Sequence, residues 1–307
     1  MKKIGYNQPL FVQPFDHRGS FRKKFFQLSG EPVVSATEDQ RSAIAEAKML
    51  IYRGLLKAIE MGVPEDQVGV LVDAEYGNQV LVDAAARGIC RSVCVEKSGQ
   101  PVFDFEYGPR WQDHLRFFKP EIVKCLVRYH PADDAQENRE QATRLKQLSD
   151  YIHDTDDHYM MFELLVPAVT DDEKAMGERY DKEVRPQRMV EAIHELQDFG
   201  VEPDIWKIEG LDTREQAATV SAAVRRGNHR QDVGCILLGR GSDTAQVHKW
   251  LQVAAPVEGF IGFAVGRTNF SDAVKRFLSD PSQAQSCVDE IARNYKGCVD
   301  VWKQARG

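Results

Sequence analysis

The chain has 307 residues, 42% of them hydrophobic and 28% charged, with a formal net charge of -7 at pH 7. That is enough apolar material for a large core, but no run reaches the roughly eighteen consecutive apolar residues of a membrane span. The acidic balance, with no basic stripe carrying interleaved aromatics, argues against nucleic acid as a partner and leaves room only for local basic pockets that take small anionic metabolites.

In chain order, MKKIGYNQPLF has neither a signal-peptide hydrophobic region nor a small-residue cleavage site, so a cytoplasmic location is the expectation. PLFVQPF (9 to 15) is the first of eight short apolar, β-branched runs and leads into Asp16, His17 and Arg18. A long connection over 16 to 37 follows. Within 42 to 62, Ile44, Ala47, Ile51, Leu55 and Ala58 step by three or four and Gly62 offers a stop, which predicts an amphipathic helix. VGVLVDA (68 to 74) brings Asp73, with Glu75 just after it, and SVCVEK (92 to 97) ends in Glu96 and Lys97. IVKCLVRY (122 to 129) holds Lys124 and Arg128 and is followed by His130; YMMFELLV (159 to 166) contains Glu163. A second long connection spans 167 to 186. IWKIEG (205 to 210) carries Lys207 and Glu209, VGCILLGR (233 to 240) runs into Arg240 and Ser242, and GFIGFAVG (259 to 266) precedes Arg267. Helical patterns fill 77 to 87, 109 to 118, 137 to 153, 187 to 199, 213 to 227 and 243 to 253, and the tail from 271 to 305 supplies two more helices. The six cysteines lack CxxC spacing or a nearby histidine pair and read as buried, reduced thiols. HDTDDH (153 to 158) reads as a solvated turn rather than a ligand cluster.

Continuous apolar strands alternating with amphipathic helices indicate parallel strands buried on both faces. Eight such units predict an α/β protein folded as a (β/α)8 TIM barrel, one domain over 1–307 with extra C-terminal helices. An open doubly wound sheet is the alternative, weakened because no GxGxxG opens a helix after the first strand. In a barrel the active site lies at the C-terminal ends of the strands, and the charged residues of this sequence gather there. A single one would pass as a structural ion pair, but their joint placement points to a polar cavity.

Lys207 is the sharpest of the set. Alternation puts Ile205, Lys207 and Glu209 on one face of the strand and Trp206 and Ile208 on the other, so Lys207 can point into the barrel axis. Lys124 is the second cation expected to favour its neutral amine, the form that attacks a ketone. Glu163 is placed to shuttle protons. A buried ion pair of Lys207 with Glu163 or Glu209 is the structural alternative. In LGRGSD (238 to 243) and VGRTNF (265 to 270), Gly239, Gly241 and Gly266 let backbone N–H groups close on an anion, Ser242 sits where a helix can start, and Arg240 or Arg267 supplies charge, as expected of a phosphate site on loops seven and eight.

FDHRGS (15 to 20), LVDAEYG (71 to 77), VKCLVRYH (123 to 130), WKIEG and VGRTNF resemble the FDQRG, LLDPEYG, KFLLYY, KVE and GRATW segments of class I aldolases of the tagatose 1,6-bisphosphate type. A fuller resemblance, over nearly the whole chain, is to the 5-dehydro-2-deoxyphosphogluconate aldolase domain of myo-inositol catabolism, through PFDHRGSF, EKSGQ, FDFEYG, LVRYHP, FELLVP, VEPDIWKIEGLD, LGRGSD and GFIGFAVGRT. The resemblance implies cleavage of 6-phospho-5-dehydro-2-deoxy-D-gluconate to dihydroxyacetone phosphate and malonate semialdehyde, with no cofactor and no metal. It carries the Schiff-base role onto Lys207, with Glu163, Lys124, Asp16 and His17 as the remaining catalytic set. His17 replaces the glutamine of the tagatose-type motif, so its proton-transfer role is not carried over from it. Arg128 or Arg18 would suit a terminal carboxylate, because guanidinium pairs with carboxylate bidentately. Two other readings stand beside the Schiff-base lyase: a metal-dependent aldolase or isomerase using Asp73, Glu96 and His17 or His130, and a sugar-phosphate-binding scaffold. A ketose bisphosphate is the rival substrate, and assembly as a homo-oligomer is allowed by the sequence but not specified by it.

Overall fold

A computed structural model describes residues 3–28, 36–155 and 157–307. Eight parallel strands close on themselves in chain order: β1 (Leu10–Pro14), β2 (Val68–Val72), β3 (Cys90–Cys94), β4 (Ile122–Arg128), β5 (Tyr159–Leu165), β6 (Ile205–Ile208), β7 (Gly234–Leu238) and β8 (Phe260–Ala264). This is the (β/α)8 barrel expected from the sequence, and all eight apolar runs are its strands.

The barrel interior holds Leu10, Val12, Leu71, Ile122, Met161, Ile205, Ile236, Ile261 and Ala264, while Trp206 and Ile208 lie in the larger core between strands and helices. Each strand therefore buries both faces, which is why it reads as a continuous apolar run rather than an alternating one.

The helices are α1 (Gly19–Phe26), α2 (Glu38–Glu60), α3 (Ala74–Arg87), α4 (Trp111–Phe118), α5 (Ala135–Thr155), α6 (Asp171–Ala175), α7 (Glu178–Glu183), α8 (Arg185–Asp198), α9 (Arg214–Val224), α10 (Thr244–Ala254), α11 (Arg267–Ser279) and α12 (Ala284–Arg306). Their starts are written locally: Thr37 with Gln40, Thr170 with Glu173 and Thr213 with Gln216 form reciprocal capping boxes, and Asp73 and Asp243 cap α3 and α10. Of the two helices expected after the last strand, α11 is the eighth barrel helix. Only α12 is extra. It packs Trp302 against Phe11 and Phe263 on β1 and β8, and Tyr295 donates a 2.6 Å hydrogen bond to the Phe11 carbonyl.

Both long connections contain helix the sequence reading left out: α1 in the first, α6 and α7 in the second. Part of the first, residues 29–35, lies outside the described residues, as does Asp156 of the HDTDDH stretch, whose first three residues end α5. All six cysteines are free, and five are buried. No helix among the described residues is long and apolar enough to cross a membrane.

Candidate active site

Above Ile205 in the barrel interior, the next inward side chain of β6 is Lys207, 4% exposed. The parallel register sets Lys207 beside Glu163 on β5, and Met161, one inward step below Glu163, beside Lys124 on β4. Three charged side chains thus form a layer resting on the apolar plug. Lys207 Nζ lies 2.9 Å from Glu163 Oε2, and that same oxygen lies 2.9 Å from Lys124 Nζ. Lys124 further reaches Asp16 Oδ2 at 2.9 Å and Glu96 Oε1 at 2.7 Å.

The charges divide these groups sharply. Burial works against the Lys124 ammonium, but Asp16, Glu163 and Glu96 outweigh it and hold the group protonated well above its ordinary range. Asp16 and Glu163 are pushed up by burial and pulled down further by the ammonium groups, Lys124 first, so both carboxyls stay ionised well below the usual range. Glu96 goes the other way: burial, reinforced by the Asp16 charge, outweighs Lys124 and raises it. His17, 28% exposed at its side chain, is lowered by burial and by the charges of Arg267 and Lys207. The expectation that Lys124 acts on Lys207 as an uncompensated like charge is thereby corrected, because three carboxylates surround it.

The same cage bears on metal binding. Donor atoms of Asp16, Cys94 and Glu96 come within 4.8 Å of one another, but the positive charge between the two carboxylates is supplied by Lys124. The metal set weighed from the sequence is not gathered. Asp73 is ion-paired to Lys48 and caps α3 through Tyr76 N, and His130 Nε2 faces Glu173 at 3.2 Å.

A cavity of about 380 Å³ opens from Lys207 and Glu163 towards the loops after β1, β3 and β4. One wall is a hairpin in which Glu96 pairs antiparallel with Phe105. Arg18 braces it: one nitrogen lies 2.7 Å from Glu106 and another donates to the Glu96 carbonyl. Arg18 lines the cavity, with its charge matched by Glu106. Arg128 stands at the rim, exposed, and among the described residues donates only to the Gln100 carbonyl at 3.3 Å.

The expected phosphate turns come together, with one exception. Gly241 has φ +77°, and a Cβ there would lie 2.9 Å from the Arg267 guanidinium carbon; a Cβ on Gly266 would lie 2.3 Å from the Pro14 carbonyl. Thr268 Oγ1 donates to the Ser242 carbonyl at 2.8 Å, tying the two turns together, while Gly239 packs against Val265. Arg267 has no acidic partner among the described residues. Arg240 is the exception: at φ +51° it turns to Glu209 at 3.0 Å and Asp181 at 2.7 Å. Its charge is matched there, on a separate hollow of about 570 Å³ bordered by α7 and lined also by Gly241 and Ser242, which do not line the Lys207 cavity. The 167–186 connection borders that hollow rather than the Lys207 cavity.

Sequence reasoning missed Lys48. It is fully buried on α2, ion-paired to Asp73, and donates to the carbonyls of Phe15 at 2.7 Å and His17 at 3.2 Å, on either side of Asp16. The available signal was its place on the apolar stripe between Ile44 and Ile51.

The fold and this cluster define a class: a (β/α)8 barrel with a lysine and carboxylate layer at the C-terminal mouth of its strands. The chain belongs to the family described as "Uncharacterized protein conserved in bacteria (DUF2090)", whose pattern matches residues 4–306. None of the curated proteins matches its sequence. Among solved structures it is similar to fructose-bisphosphate aldolase from Plasmodium falciparum, crystallised with TRAP and a small-molecule inhibitor, with a TM-score of 0.65 and 9% identity over 100% of this chain and 99% of that one. It is also similar to Cgl0159 from Corynebacterium glutamicum, with a TM-score of 0.51 and 16% identity over 96% and 88% of the two chains. At those identities the likeness is one of fold.

Proposed function

We propose that the protein is a class I aldolase that binds a phosphorylated keto sugar acid as a Schiff base on Lys207. The substrate that fits best is 6-phospho-5-dehydro-2-deoxy-D-gluconate, cleaved to dihydroxyacetone phosphate and malonate semialdehyde in myo-inositol catabolism. The observation that carries the reading is the shared oxygen: Glu163 Oε2 contacts both Lys207 and Lys124 at 2.9 Å on the floor of an open cavity.

In the mechanism, Lys207 passes its ammonium proton to Glu163. The carboxylate becomes a better acceptor as that proton leaves, because one of the two charges holding it ionised disappears. The free amine attacks the ketone carbon, and the nitrogen proton moves to the new alkoxide. Glu163 then returns its proton to the carbinolamine hydroxyl, which departs as water and leaves an iminium. The iminium accepts the electron pair of the scissile C–C bond as the neighbouring hydroxyl loses its proton, and the aldehyde separates from the enamine. Protonation of the enamine carbon and addition of water release dihydroxyacetone phosphate and restore Lys207.

Arg267 and the Gly239 to Ser242 turn hold the phosphate, and Arg128 meets the carboxylate at the other end. Likeness to an aldolase fold and the motif resemblance support this reading. A sugar-phosphate substrate makes the cytoplasm the natural compartment and a small molecule, rather than nucleic acid or a membrane, the partner. Reduction with borohydride in the presence of dihydroxyacetone phosphate is expected to leave that fragment covalently on Lys207, read by peptide mass spectrometry. An active preparation whose Lys207 stays unmodified would overturn the Schiff-base mechanism.

A further inference from the structure

Five groups at the cavity floor carry charge or can carry it, and they do not balance. Lys124 and Lys207 supply two positive charges; Asp16, Glu163 and Glu96 would supply three negative ones. Asp16 and Glu163 each meet an ammonium directly, and Glu163 meets both. Glu96 meets Lys124 through Oε1 alone, while its Oε2 is buried with no hydrogen-bond partner, in the lining of the cavity. A carboxyl with one oxygen anchored and the other unsatisfied has the capacity to accept a proton or a hydrogen bond from a group in the cavity.

Its position says which atom it serves. Lys207 and Lys124 each lie 2.9 Å from one oxygen, and Glu96 follows at 2.7 Å beyond Lys124 on the side of the β3 hairpin and Arg128. Arg267, after β8, lies close enough to His17 in the cavity wall for its charge to depress the imidazole. A ketose joined through its carbonyl carbon to Lys207 extends one way towards Arg267 and the other way past Lys124 to Glu96.

We propose that Glu96 is the acid–base residue on the aldehyde side of the scissile bond, taking the proton of the hydroxyl there in cleavage and returning it to the aldehyde oxygen in condensation. The inference rests on the Schiff-base reading of Lys207. In cleavage the hydroxyl proton moves to the Glu96 carboxylate, the O–H pair becomes the second C–O bond of the aldehyde, and the C–C pair moves into the iminium; solvent takes the proton from Glu96 after product leaves. All three carboxyls touch the Lys124 ammonium, but of the three only Glu96 keeps a buried oxygen without a hydrogen-bond partner. Around Glu96 stand Lys124 from β4, Asp16 and Arg18 from the loop after β1, and Cys94 on its own strand. Burial and Asp16 raise its pKa against Lys124.

The test separates two half-reactions on the full chain. Glu96→Gln keeps the size and an acceptor for Lys124. It is expected to retain borohydride trapping of dihydroxyacetone phosphate on Lys207, and to exchange the carbon-bound hydrogen of that ketone with D2O, read by NMR, within a few-fold of wild type. Cleavage of 6-phospho-5-dehydro-2-deoxy-D-gluconate is expected to fall by about a hundredfold or more, and Glu96→Asp, which keeps a carboxyl, should recover part of it. The acid limb of the wild-type cleavage profile should be missing from the residual activity of Glu96→Gln. Cleavage within threefold of wild type, exchange that falls in parallel with cleavage, or no recovery in Glu96→Asp would each overturn the proposal. Loss of trapping in the wild type itself would instead remove the Schiff-base reading beneath it.

Discussion

Arg18, Arg128, Arg240 and Arg267 all stand at strand ends in the sequence, yet their side chains have separate fates. Arg18 and Arg240 are matched by Glu106, Glu209 and Asp181, whereas Arg128 gives one hydrogen bond to a backbone carbonyl and Arg267 has no acidic partner among the described residues. An arginine already paired with carboxylates gains little from an anionic ligand, so the two unmatched ones are the candidates for the substrate's two ends. Arg267→Ala is accordingly expected to weaken every phosphorylated substrate without discriminating among them. Arg128→Ala should penalise the sugar acid selectively, by about 1.5–3 kcal/mol, more than tenfold in kcat/KM. Cleavage rates of 6-phospho-5-dehydro-2-deoxy-D-gluconate and tagatose 1,6-bisphosphate on both variants are the measurement, and equal losses on the two substrates in Arg128→Ala would contradict the carboxylate assignment.

Among the elements, α2 does more than cover the barrel. Its Lys48 reaches through the apolar layer to Asp73 at the end of β2 and to the two carbonyls flanking Asp16, so the helix fixes the loop that presents Asp16 to Lys124. A fully buried pair stripped of one partner leaves an uncompensated charge, at a cost of about 3–5 kcal/mol. Lys48→Met should destabilise the protein by that amount in urea titrations and lower turnover as the Asp16 loop loosens. Adding Asp73→Asn to Lys48→Met should recover part of the stability, since the buried charge is then gone. A double variant as unstable as the sum of the two singles would show that the residues do not act as a pair.

For the molecule as a whole, the barrel closes by parallel pairing of β1 with β8, and α12 covers the outer faces of those two strands through Tyr295 and Trp302. Burial of two histidines sets an acid limit. Burial is the first cause that lowers both His114, aided by Arg18, and His17, aided by Arg267 and Lys207, each to about 4. In the unfolded chain these imidazoles return to about 6.5, so between those values the unfolded state binds more protons than the folded one. Their contribution to stability is therefore full above about pH 6.5 and is lost as the pH falls towards 4. Asp16 and Glu163 add their own losses only at still lower pH, because both are held ionised below the usual range. Unfolding midpoints in urea between pH 7.5 and 4.5 should fall accordingly, and His114→Gln should flatten part of that decline. An unchanged slope in the variant would place the acid sensitivity elsewhere.

The eight strands, their order of alternation with helices and the inward face of β6 were legible because each depends on near neighbours in the chain: two-residue alternation, apolar runs and local caps. Lys207, Glu163, Lys124 and Asp16 were legible as a group for the same reason, since every strand of a barrel delivers its end to one mouth. The state of each charge was not. Which carboxylates surround Lys124, that Arg18 and Arg240 are already paired, that Lys48 stands behind Asp16, and that Glu96 keeps one oxygen free all depend on contacts between residues tens to hundreds of positions apart. Sequence decides which groups arrive at the mouth through local geometry; only the closed barrel decides which of them neutralise one another, because buried charges interact through space and the strand register sets those distances.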